Sequence, residues 1–258
     1  MSSSGRRQHT RNHRTRIVLD TLLKRLLQEQ TGVLDDGHFS LGGQNGITHI
    51  VQYDFEKLCP LSCGSTFQPE ILFEPVLIDE VRQCRNHPFS MRPFFDLPED
   101  PETITTADRT GQLWSIESYL EPDTEGDTVL PHITMLGLQP KDGRENAILY
   151  GELIALVSAM RNRAFQPKVD TEEEQEALEE ADDEDRKSYP YLFTEEDTFP
   201  VLFLSAVAPR HARIFYGCME GRQLVIRQSK LYSFVRVADA PIELFASLRL
   251  SRPLVRCP

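Results

Sequence analysis

The segment from Asn146 to Ala164 limits the possible folds of this chain more than any other. Leu149, Leu153, Leu156 and Met160 recur at helical spacing. Ile148, Ala155 and Ala159 widen that stripe until most of the girth is apolar. A helix of this kind must be covered on several sides, so it belongs well inside a fold. Pro167 ends it. After an acidic interruption the period changes to two. Phe199–Val207, Ala212–Met219 and Gln223–Gln228 read as consecutive strands joined through Pro209-Arg210 and Glu220-Gly221. Such short joints make an antiparallel meander. The expected class is α+β: a three-stranded meander near the C-terminus packed by a buried helix, with an N-terminal helix and short strands added.

The rest of the chain is read around that unit. Ile17, Leu22, Leu23, Leu26 and Leu27 place a basic amphipathic helix over 14–30, with Gly32 as its stop. Residues 35–46 are Gly-, Asp- and Asn-rich and read as a loop. The Gly42-Gly43 pair there lacks the Gly-Lys-Ser/Thr ending of a phosphate loop. Ile47–Phe55 reads as a strand. Ile71–Val81 is broken by Pro75, which fits an edge strand followed by a short helix. Residues 86–110 are rich in proline and read as a long surface excursion. Trp114–Leu120 reads as a short helix or strand, and Ile133–Leu138 as a strand.

Charge is unevenly spread. Arg6, Arg7, Arg11, Arg14 and Arg16 precede the first acid, Asp20. That start fits a mitochondrial presequence in part, and a nuclear-import or nucleic-acid patch in part. The plainer reading, adopted here, is a disordered arm over 1–16 ahead of a single α+β domain over 17–258. Residues 171–187 carry ten acids against two bases, which is −8 of the chain's −12. A run with so little to bury reads as a disordered or frayed helical insertion. From Phe199 onward nine Arg or Lys face three Asp or Glu. The net charge disfavours general nucleic-acid coating, though a local role through the basic regions stays open. No apolar run reaches ~18 residues, so no membrane span is expected. The five cysteines, an odd count without an apolar leader, read as reduced thiols. A soluble intracellular protein is expected, cytoplasmic or nuclear, with mitochondrial import left open.

Two segments carry a resemblance. Pro200–Phe234 (PVLFLSAVAPRHARIFYGCMEGRQLVIRQSKLYSF) and the upstream 147–165 helix resemble a group of uncharacterised intracellular proteins of filamentous fungi. In that group a similar pattern, from a Pro-Val-Leu start through Pro-x-His-x-Arg to Ile-Arg-x-Ser-x-Leu-Tyr-x-Phe, recurs. The resemblance covers about a third of the chain. It implies a shared fold and no activity.

Three sets of residues suggest chemistry. Cys59, Cys63, Cys84 and His87 offer three thiols and an imidazole, the donor types of a zinc site. The Cys59–Cys63 spacing is the less common one, and the intervening stretch is apolar. Buried small residues are the preferred reading, and no cofactor is expected. His211 and Arg213 share one face of a strand, with Ser205 on the neighbouring strand. Glu152 lies in the buried helix, where an acid wants a basic partner. Arg213 or His211 could supply it, either as a structural ion pair or as an acid/base site. A helix bearing Glu152 followed by strands is also the order of a metal-dependent nuclease core. These strands lack the carboxylates that would hold magnesium, so such a core would be catalytically dead. With no catalytic signature beside two charge-extreme segments, the expected role is binding a protein partner. An enzyme centred on Glu152, His211 and Arg213 is the alternative.

Overall fold

The computed structural model describes residues 3–29, 38–40, 48–57, 59–60, 71–83, 105–107, 113–122, 129–186 and 188–254. The elements in chain order are α1 (Ser3–Glu29), β1 (His38–Ser40), β2 (Thr48–Asp54), β3 (Cys59–Pro60), β4 (Phe73–Glu74), α2 (Ile78–Gln83), β5 (Thr105–Ala107), β6 (Leu113–Leu120), β7 (Ile133–Asp142), β8 (Ala147–Leu149), α3 (Tyr150–Ala164), α4 (Glu172–Glu180), α5 (Asp183–Arg186), β9 (Val201–Ala208), β10 (His211–Glu220), β11 (Gln223–Gln228), β12 (Tyr232–Ser233), α6 (Ile242–Arg249) and β13 (Arg252–Pro253). The class is α+β, as the sequence predicts.

The meander forms the middle of a larger mixed sheet, ordered β3-β2-β11-β10-β9-β7-β6-β5, with β12 beside β10. Strands β9, β10 and β11 pair antiparallel, Ser205 opposite Arg213 and Gly217 opposite Ile226. Gly221, at φ 62, makes the β10–β11 turn in the left-handed region that glycine enters without steric cost. Two parallel pairings flank the meander. β2 lies beside β11, Ile50 with Ile226, and β7 lies beside β9, Met135 with Phe203. Local pattern does not announce either one. The β7–β9 pair is closed by α3, which serves as its crossover.

Period two sends alternate residues of the meander to two separate cores. Val201, Phe203, Phe215, Met219, Leu224 and Ile226 face α3 and α1. Leu202, Leu204, Ala212, Ile214, Tyr216 and Cys218 face α6 and the aromatic group Phe73, Tyr232, Phe234 and Phe245. Helix α3 is buried along nearly its whole length, matching its all-round apolar sequence. Gly151 lets its first turn settle on the sheet: a Cβ there would lie 2.4 Å from Gln139 Oε1 and 2.9 Å from Trp114 Cγ.

Both charged extremes carry helix. Helix α1 begins at Ser3 and runs through the span read as a disordered arm. Asn12, Thr15 and Arg16 are buried in line with Leu19, Leu22 and Leu26. Arg16 donates from Nε to Ala164 O (2.6 Å) and from Nη2 to Phe193 O (2.7 Å), and its guanidinium lies 4.5 Å from the Tyr191 ring centroid. It therefore satisfies a carbonyl at the negative end of α3, where a cation is favoured. The acid-rich insertion forms α4 and α5. Thr171 Oγ1 accepts from Glu174 N (3.2 Å), and Glu174 Oε2 accepts from Asp170 N (2.7 Å). Capping and first-turn acids at the positive helix end account for this helix, because α4 buries no residue. Among the described residues no helix is long and apolar enough to cross a membrane.

Candidate functional site

The first turn of α3 rests on β9 and β10 where they carry Ser205 and Arg213 at paired positions. Both side chains point to the α3 face, so the register delivers them to Glu152 at the third position of the helix. Glu152 Oε1 accepts from Ser205 Oγ (2.7 Å) and from Arg213 Nε (2.9 Å). Its Oε2 accepts from Arg213 Nη2 and from the backbone N–H of Leu149 (2.8 Å). The last of these satisfies an amide that the helix start leaves without an intrahelical acceptor. The Arg213–carboxylate contact is bidentate, the strongest geometry available to this pair.

Arg213 has further partners on the other side. Its Nη1 donates to Arg144 O (2.9 Å) and Ala147 O (2.6 Å), and Gln228 Nε2 also reaches Ala147 O (3.1 Å). The guanidinium lies 5.1 Å from the Phe215 ring centroid. Glu152, Ser205 and Arg213 are each 0 % exposed. Charge is neutralised within the group, and each Glu152 oxygen already accepts two hydrogen bonds. Such a carboxylate is fully engaged within the protein, and it ties helix, sheet and β7–β8 connection together.

Of the three residues proposed for an acid/base site, the structure joins two. His211 is two positions from Arg213 on β10, beside Val207 and Ser233, and is partly exposed. It makes no hydrogen bond to Glu152 or Arg213. The acid that would serve a nuclease-like core is thus neutralised by an arginine. For the zinc candidates, Cys59 is described only as part of the β3 backbone, and Cys63, Cys84 and His87 lie outside the described residues. Among the described residues no group of three or more His, Cys, Asp and Glu could hold a metal ion.

Sequence reasoning missed the polar groups of the opposite face. Arg227, 3 % exposed, lies between Tyr216 and Tyr53, with its guanidinium 5.3 and 5.7 Å from their ring centroids. His132, 3 % exposed, stands just before β7, its ring edge-on to Phe73 at 5.2 Å between centroids. Burial lowers the His132 pKa to about 4, opposed in part by Glu196 and by the backbone of Leu254 and Leu72. This imidazole is neutral at physiological pH. Arg227 had a usable signal: in Gln-Leu-Val-Ile-Arg-Gln it takes the phase of Val225, opposite to Leu224 and Ile226, inside a strand flanked on both sides. His132 had none beyond its apolar surroundings.

At the far end of α3, Arg163 Nη1 donates to Glu121 Oε2 (2.7 Å) and Gln166 Oε1 (2.6 Å), and Nη2 donates to Leu130 O (2.7 Å). Both ends of the helix are therefore held by arginine. Comparison with known proteins adds no identity: no protein-family model, no curated protein and no solved structure matches the chain.

Proposed function

We propose that this chain acts by binding a protein partner inside the cell, and that helix α4 carries the contact. The observation behind this reading is a folded element with no role in the fold. α4 is capped at its start, presents Glu172, Glu173, Glu176, Glu179 and Glu180, and buries nothing. Chain order costs free energy that apolar burial ordinarily offsets. Here no burial offsets it, and a negatively charged rod is held out from the sheet by the Lys168–Pro190 and Leu192–Gln166 backbone bonds at its base (2.8 Å each). A basic surface is the complementary partner, and such contacts set association rate and salt dependence more than raw affinity. The closed Glu152–Arg213 group supports the same reading, since its oxygens and protons are consumed internally.

The test replaces Glu176, Glu179 and Glu180 with glutamine and keeps the first-turn acids Glu172, Glu173 and Glu174, which support the helix start. Surface changes of this kind shift stability by about 0.5 kcal/mol or less. In pull-downs the wild type captures partners at low salt that the variant does not, and ~0.5 M salt releases them. Identical partner sets for the two proteins would sink the proposal. Deleting residues 1–16 is the poorer experiment, because it removes the buried Asn12, Thr15 and Arg16.

A further inference from the structure

We infer that the β4–β13 pair is an acid-released clasp over the α6 face of the sheet, with His132 as its trigger. The clasp is small. Phe73 pairs with Pro253 and Glu74 with Arg252. Leu254 N donates to Leu72 O (2.9 Å), and Leu72 N donates to Tyr216 Oη (3.4 Å). Two further ties join it to α6, from Val76 N to Ser247 O (3.2 Å) and from Ser247 Oγ to Val76 O (2.5 Å). Under it lie the His132 ring, against Phe73 and the backbone of Leu72 and Leu254, and the Tyr216 ring, 6.0 Å from Phe73.

The groups around His132 decide what happens on acidification. From the segment before β9, Glu196 favours the imidazolium; from α3, Arg163 opposes it. Glu196 Oε1 is already engaged by Asp197 N (2.9 Å), Thr198 N (2.6 Å) and Thr198 Oγ1 (2.5 Å). On the clasp, Glu74 and Arg252 are turned to solvent, and Arg252 pairs with Glu80 (2.6 Å). On β10, burial pushes the Tyr216 hydroxyl well above its usual range, so it stays neutral. The Oε1 of Glu196 is thus already committed to three donors, and among the described residues no other carboxylate acts on the ring.

Protonation is resolved by water reaching the ring, and the easiest route is the weakest cover. A ring that titrates at 6.5 when open and at about 4 when closed favours the open form by roughly 300-fold once charged. Stability of the closed form is intact above pH 6.5 and falls as pH drops toward 4, because the open form then binds the extra proton. A two-residue strand pair opens at far lower free energy than the meander, so the loss appears there first.

The experiment is amide hydrogen exchange on the full chain at pH 6.5 and pH 4, corrected for intrinsic rates. Peptides covering 71–77 and 250–254 lose protection on the order of 100-fold between the two, while those covering β9 and β10 hold theirs. His132→Phe removes the difference in the clasp. Equal loss across clasp and meander, or an unchanged clasp response in His132→Phe, would overturn the inference. Should that variant fail to fold, histidine NMR of the wild type decides: His132 must titrate in step with the Leu254 amide, and a ring that titrates near 6.5 under a closed clasp refutes it.

Discussion

On the α3 face of the sheet Arg213 is buried against a carboxylate, a serine and two carbonyls. On the α6 face Arg227 is buried against two tyrosine rings. The strands are the same, and the two arginines stand on neighbouring strands in opposite phase. Their surroundings differ because only face one receives an acid from its covering helix at this point. Face one lies under the first turn of a long helix, which brings an acid at its third position and unsatisfied amides beside it. Face two lies under the eight-residue α6 and a pair of two-residue strands, and the rings beside Arg227 come from the sheet itself, Tyr216 on β10 and Tyr53 on β2. Ion pairing on face one therefore follows from the helix start, while the rings on face two belong to neighbouring strands. Removing one partner of a buried ion pair leaves a charge without compensation, whereas a ring asks for no such balance.

The sharpest way to break this contrast is Arg213→Ala. It strands the Glu152 carboxylate in the core, and a loss of about 3–5 kcal/mol is expected in urea unfolding. Arg227→Met keeps the volume and loses the cation over the rings, for about 1–2 kcal/mol. If Arg227→Met costs as much as Arg213→Ala, the rings are not what supports that charge and the contrast fails. The finest cut is Ser205→Ala, which removes one of four hydrogen bonds to Glu152 and should cost about 1 kcal/mol. A larger loss would mean that the serine sets the position of the carboxylate.

Much of face one was legible in the sequence. An acid inside an oily helix demands a cation, and the alternation of Ser205 and Arg213 on adjacent strands offers one. The same logic offers His211 as the alternative partner, and the register explains why Arg213 is the one that meets Glu152. Arg213 sits opposite Ser205, under the helix start, while His211 sits two pairs further, opposite Val207 and beyond it. The parallel neighbours β2 and β7 were not legible, because period two fixes which residues share a face and not which strand lies alongside. Helix α1 was read from Arg14 onward, since the arginines before it offer no apolar stripe. What buries Asn12 and Arg16 is the set of carbonyls at Ala164, Phe193 and Thr194, and those come from far along the chain.

The pairing of β2 with β11 joins Thr48 to Leu224, 176 residues apart. At translation speeds of 5–20 residues per second, the earlier strand leaves the ribosome roughly 9–35 s before its neighbour exists. During that interval Ile50 and Tyr53 have no sheet to join. The sheet of this protein therefore closes only when the last quarter of the chain has been synthesised.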